Sequence, residues 1–81
     1  MHPDRQNDII VQHVKAEAAR EECWSVFVGT AKRADLPTAE RAFVFARLLA
    51  DVQQRRAWVA HGIDAELTPL EHAALRGCSC C

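Results

Sequence analysis

No run of apolar residues in this 81-residue sequence is long enough to cross a membrane, because a transmembrane helix needs about 20 of them. The polar start M-H-P-D-R-Q-N-D also lacks the apolar segment of a secretory signal. Excess charge of one sign is lacking too: the formal net charge is -1, so no strong field favours nucleic acid or an anionic membrane. These absences predict a cytoplasmic protein that binds neither nucleic acid nor membrane.

Apolar residues make up 49% of the chain and charged residues 26%, which is typical of one small globular domain.

The three- and four-residue spacing of the apolar residues predicts an all-α fold. Gly29 would end the first helix in the left-handed conformation, residues 30–36 would form a polar loop, and either Asp35 or Thr38 would cap the second helix. One stripe of the second helix is expected to face the core: Phe45, Leu48, Leu49, Val52 and Val59. The three helices are expected at about residues 4–28, 38–61 and 69–76. V-F-V at residues 26–28 could form a strand, but no partner run is evident.

The clearest helix signal is L-T-P-L-E-H-A-A-L-R-G at residues 67–77. Thr68 is expected to be the N-cap, with Pro69 in the first helical position and Glu71 completing a capping box. Gly77 would stop the helix. This predicts a folded part at residues 1–77 and a flexible, cysteine-rich tail at residues 78–81.

The tail contains three of the four cysteines, in the sequence C-S-C-C. Cys23 is expected to pack as a small hydrophobic residue, whereas a short end after a helix stop has nothing to pack into. Cys78, Cys80 and Cys81 lie too close together to form a disulfide scaffold. Because exposed thiols are prone to oxidation, we expect the tail to have a use.

Soft-metal binding is one use of such a tail, because thiolates bind zinc and copper(I). Cys78, Cys80 and Cys81 would be the ligands, and His72 could add a nitrogen. The C-x-C-C spacing differs from the paired C-x-x-C of structural zinc sites. A small protein that binds a soft metal or exchanges thiols through its tail is therefore an alternative function.

Catalysis by the chain itself is not expected, because no cysteine lies on a scaffold that would hold a base beside it. C-S-C matches part of the metal-binding claw of nitrile hydratase alpha subunits, but Leu75 stands where that family has its first cysteine. The terminal C-C resembles the prenylated end of small GTPases, yet no G-domain motif or polybasic stretch precedes it.

Residues 48–77 resemble the leader segments of certain precursors of ribosomally synthesised, post-translationally modified peptides. These leaders are related to nitrile hydratase alpha or to the small LigA-type subunit of ring-opening dioxygenases. The likeness does not extend to residues 1–34, and Leu70 stands where the family often has an acid. Three features carry the resemblance: Trp58 on an expected helix, the turn Gly62-Ile63, and L-T-P-L-E-H-A-A-L.

The resemblance implies a substrate: modifying enzymes and a leader protease bind the helical leader, and the enzymes alter the tail. Cysteine and serine are the residues that such enzymes convert to azolines or thioethers, and no cofactor is expected. A third hypothesis is a helical interaction or regulatory domain. The residues expected to be modified are Cys78, Ser79, Cys80 and Cys81. Contacts with the enzymes are expected from Trp58, Ile63, Leu67 and Leu70, although these apolar side chains could equally pack the third helix onto the second.

Overall fold

The computed structural model describes residues 3–19, 21–60 and 67–71. It has a mixed α/β fold in which a five-stranded sheet, in the order β3-β2-β1-β4-β5, packs against one helix. The prediction of an all-α, three-helix domain is therefore wrong. The elements are β1 (Ile9–Val14), β2 (Cys23–Val28), β3 (Ala31–Leu36), α1 (Ala39–Gln53), β4 (Ala57–Ala60) and β5 (Thr68–Pro69).

The region predicted as the first helix contains β1 and β2. These strands pair antiparallel, with Ile9 opposite Val28 and Val14 opposite Cys23. Ile9, Ile10 and Val11 are all buried, so both faces of β1 are covered. A continuous apolar run of β-branched residues is typical of such a strand, and helical spacing alone does not distinguish it from a buried helix. V-F-V belongs to β2, and its partner is the run at Ile9–Val14.

Gly29 lies in the turn between β2 and β3 and has a φ of 62°. The left-handed conformation predicted for it is correct, but it connects two strands instead of ending a helix. The segment predicted as a loop is β3, an edge strand that pairs antiparallel with β2. Asp35 on β3 accepts hydrogen bonds from the Ser25 hydroxyl and the Lys32 ammonium, and these bonds hold the pKa of its carboxyl below the ordinary 3.8.

Helix α1 begins where the sequence predicts, because the Thr38 hydroxyl accepts a hydrogen bond from the Arg41 backbone N–H at 3.3 Å. The helix ends at Gln53, not at residue 61, and Gln54 follows in the left-handed conformation. The rest of the predicted helix is β4, which pairs parallel with β1. Helix α1 connects β3 to β4, and a strand-helix-strand crossover of this kind allows β4 to run parallel to β1.

The core lies between α1 and one face of the sheet. Small side chains on α1 allow the helix to approach the strands closely, and Phe43, Phe45 and Leu49 are half-buried around them. Phe45 and Leu49 therefore face the core as predicted, whereas Leu48 and Val52 from the same expected stripe are exposed. The buried members of the core are Ile9, Val11, Trp24, Val26, Ala39, Ala42, Ala46, Val59 and Leu70.

Strand β5 pairs antiparallel with β4 at the opposite edge from β3, with Pro69 opposite Trp58 and Thr68 opposite Val59. Thr68, predicted as the N-cap, and Pro69, predicted as the first residue of the third helix, thus belong to a strand. Helical conformation begins at Leu70 and Glu71, where the described residues end. The predicted tail at residues 78–81 lies outside the described residues.

Candidate functional site

The residues predicted to bind modifying enzymes are buried or half-buried where the structure describes them. Trp58 on β4 is 6% exposed and Leu70 is 7% exposed, whereas Leu67 is half-buried. Ile63 lies outside the described residues. Direct binding through Trp58 or Leu70 stays a prediction, and it would require these buried side chains to become accessible.

The residues predicted to be modified or to bind metal also lie outside the described residues: His72, Cys78, Ser79, Cys80 and Cys81. Cys23 is a free, half-buried thiol on β2. Across residues 3–19, 21–60 and 67–71, no group of three or more metal-binding side chains is present. No helix within those ranges is long and apolar enough to span a membrane.

A buried carboxylate connects the N-terminal turn to β4. Asp8 is 7% exposed, and its Oδ2 accepts hydrogen bonds from Trp58 Nε1 at 2.9 Å and from the Asp4 backbone N–H at 3.0 Å. The Arg55 guanidinium donates to the Asn7 carbonyl nearby. Because Asp8 and Trp58 are 50 positions apart, no local sequence pattern reveals this pair.

We expect Asp8→Ala to lower the free energy of unfolding by about 1–3 kcal/mol, because it leaves the buried indole N–H of Trp58 without an acceptor. Urea denaturation would measure the loss. The matched background is Trp58→Phe, which removes the N–H and keeps an aromatic ring. Asp8→Ala should cost less in that background, and an equal cost in both backgrounds would show that the hydrogen bond is not what stabilises the turn.

An aromatic stack lies across β1 and β2 on the helix side of the sheet. The rings of His13 and Trp24 stack with centroids 4.0 Å apart and planes inclined by 11°, and Phe43 meets Trp24 edge-on at 5.7 Å. His13 Nε2 lies 3.1 Å from a Glu22 carboxylate oxygen, but neither ring nitrogen has a hydrogen bond of good geometry. His13 is 6% exposed, so its imidazole is shielded from any substrate that it would have to reach as a general base.

A small groove lies beside the N-terminal turn, on the sheet face opposite α1. Its volume is about 270 Å³, which is below the usual range of small-molecule pockets, about 300–1,000 Å³. We therefore assign no ligand to this groove. Its lining residues are Arg5, Ile10, Gln12, Phe27, Gly29 and Thr30.

No family model matches this sequence, and it has no significant similarity to a curated protein or to a solved structure. The likeness of residues 48–77 to modified-peptide leaders stays a prediction. The helical conformation expected from it is absent at two described positions, because Trp58 lies on β4 and Pro69 lies on β5. The function must be argued from the chain's own residues.

Proposed function

We propose that this protein is a folded precursor: an α/β domain that carries a C-terminal tail to enzymes that modify it. The residues altered are Cys78, Ser79, Cys80 and Cys81, and a protease later separates them from the domain. The protein is thus a substrate and not an enzyme. In contrast to the helical leader expected from the sequence, the described part of the carrier is a five-stranded sheet packed against helix α1.

The observation that supports this proposal is the position of the last described residues. Strand β5 pairs with β4, and Leu70 is 7% exposed within the core. The chain is therefore anchored to the domain at Leu70, and Glu71, the last described residue, is exposed. Cysteine first occurs after this anchor at Cys78, eight positions later.

Chain length limits how far the thiols lie from the anchor. At no more than about 3.3–3.6 Å per residue, eight residues span roughly 26–29 Å. The domain itself extends over 37 × 26 × 23 Å, so the tether to Cys78 is shorter than the longest dimension of the domain, and the tether to Cys81, at most about 36–40 Å, is of similar length. An enzyme that grips the domain would hold the tail at a high effective concentration, about millimolar for a short tether.

Cys23 provides an internal comparison within the same chain. It is half-buried on β2, where its backbone pairs with Val14 in the sheet. Azoline or thioether formation requires the thiol and the adjacent backbone to enter an enzyme active site. A residue within a central strand cannot do so without unfolding, so Cys23 should be spared.

The test is co-expression with the enzymes encoded beside the gene, followed by intact-mass measurement and peptide mapping. We expect mass changes confined to residues 78–81, with Cys23 unchanged. Cys23→Ser should leave the mass change intact, and replacement of the three tail cysteines by serine should remove its thiol-dependent part. A synthetic peptide of residues 72–81 should react at least about tenfold more slowly, because it lacks the tether.

Two results would contradict the proposal. Equal rates for the free peptide and the full chain would show that the domain does not deliver the tail. An unmodified tail in the presence of every neighbouring enzyme would exclude the precursor function. In that case, zinc or copper(I) bound by the full chain more tightly than by the peptide would favour the alternative, a soft-metal site involving His72 and the tail thiols.

A further inference from the structure

Helix α1 presents apolar side chains to solvent as well as to the core. Val44 is 56% exposed, Leu48 is 59% exposed and Val52 is 80% exposed. The opposite side of the same helix packs Ala42 and Ala46 on the sheet. A surface helix normally has a polar outer face, and scattered single apolar residues there need no explanation. These three differ because their four-residue spacing aligns them.

Two charged residues flank Val44 and Leu48 on the same side of the helix. Arg41, Val44, Leu48 and Asp51 follow one another at spacings of three, four and three residues, which is the seam spacing of paired helices. We call these four residues the α1 seam. All four are exposed, and within the part of the chain that the structure describes, the side chains of Arg41 and Asp51 have no ion pair or hydrogen bond.

We propose that the α1 seam binds the same seam of a second copy of this chain, with the two helices antiparallel. In that register, Arg41 faces Asp51 of the second copy at one end, and Asp51 faces Arg41 of the second copy at the other. Between these two charge pairs, Val44 of each copy packs against Leu48 of the other copy, which gives two apolar layers. A parallel pairing would instead place like charges opposite each other at both ends, so the charges specify the direction.

The charge pattern also favours a second copy over a strongly charged partner. The seam carries one cation and one anion about 15 Å apart along the helix, so an acidic or a basic surface would meet repulsion at one end. Only a partner with the reverse order of charges satisfies both ends, and a second copy rotated by a two-fold axis has that order.

The size of the seam indicates how stable the dimer is. A helix of 15 residues is about 22 Å long. A standard interface covers about 800 Å² per partner, which would be roughly one seventh of the 5656 Å² surface of this domain. A single helix pair covers less than that, so the dimer forms reversibly and depends on protein concentration.

The first test is sedimentation equilibrium of the full chain with reductant present, so that the cysteines do not cross-link copies. Wild-type protein should self-associate as its concentration rises towards the millimolar range. Leu48→Lys should weaken association at least about tenfold, because it places a cation in each of the two apolar layers. Leu48 is exposed, so the variant should keep its circular dichroism spectrum. Arg33→Glu on β3 is the matched surface control and should associate as wild type does.

The second test is a charge exchange across the seam. Arg41→Glu and Asp51→Arg should each weaken association, since each creates like-charge pairs in the homodimer. An equimolar mixture of the two variants should associate again, and so should the double variant. A wild-type chain that stays monomeric throughout the concentration range would overturn the proposal. Association that Leu48→Lys leaves unchanged, or that neither the mixture nor the double variant restores, would overturn it as well.

Discussion

Replacing Trp24 with alanine is expected to lower the free energy of unfolding by about 3–5 kcal/mol, the usual cost of truncating a buried aromatic residue. Trp24 is 1% exposed and contacts two other rings: His13 stacks on its face and Phe43 meets it edge-on. Truncation would therefore open a cavity between β1, β2 and α1. A domain of this size has a total stability of about 5–15 kcal/mol, so the variant should be close to unfolding.

Urea denaturation followed by far-ultraviolet circular dichroism would measure this loss, since removing Trp24 changes the fluorescence signal. Trp24→Phe should cost less, because it retains an aromatic ring. Leu48→Ala, on the exposed side of α1, should change the free energy of unfolding by no more than about 0.5 kcal/mol. A Trp24→Ala variant that loses less than about 1 kcal/mol would show that the stack contributes little to the core.

Gly29→Ala should have the second large effect, a loss of at least about 2 kcal/mol. The φ of 62° costs an alanine about 1–2 kcal/mol, and a Cβ built on Gly29 would lie 2.3 Å from the Gln6 carbonyl oxygen. That carbonyl is part of the backbone, so the whole N-terminal turn would have to shift. The turn also holds Asp8, whose carbonyl accepts a hydrogen bond from the Gly29 N–H at 3.0 Å.

Thermal unfolding would measure the effect, which corresponds to a decrease in Tm of roughly 8–16 °C or more for a domain of this length. Gly29→Asn separates the two causes, because asparagine tolerates the left-handed conformation but still carries a Cβ. Equal losses for the two variants would assign most of the effect to the contact with Gln6. Thr30→Ala, at the next and exposed position, is the control. A Gly29→Ala variant as stable as wild type would contradict the backbone geometry of this turn.

Local chemistry predicted several features of this fold correctly. The Thr38 cap is recognisable because a hydroxyl satisfies a backbone N–H three residues later, a contact within one turn. The left-handed conformation of Gly29 was also predicted, because few other residues adopt it without strain. The inward direction of Phe45 and Leu49 follows from helical spacing. Each of these features depends on neighbours only a few residues away.

The strands could not be predicted in the same way. The run Ile9-Ile10-Val11 is apolar on both faces, so its pattern is compatible with either a helix or a buried strand. The choice is made by β2 and β4, which pair with the two edges of β1. V-F-V lacked an evident partner only because that partner had been assigned to a helix. Interpreting the apolar residues with helical instead of strand periodicity therefore misassigns both β1 and β2.

The candidate sites also differ in how much of each the sequence reveals. The cysteines of the tail are evident from the sequence, whereas the proposal that enzymes act on them also depends on the resemblance of residues 48–77 to modified-peptide leaders. The burial of Trp58, in contrast, is not evident from the sequence. Its indole N–H meets the Asp8 carboxylate across a parallel strand pair, and that pair exists only once α1 has carried the chain back to β1.

The sequence by itself determined where α1 begins, the turn glycine and the position of the thiols along the chain, because these features depend on local geometry and composition. Only the tertiary structure decided that residues 9–14, 23–28, 31–36 and 57–60 are strands, since a strand is stabilised by partners distant in the chain. It also decided which side of α1 faces solvent. Val44 and Leu48 have the composition of core residues, and they are exposed because the sheet covers one side of the helix only.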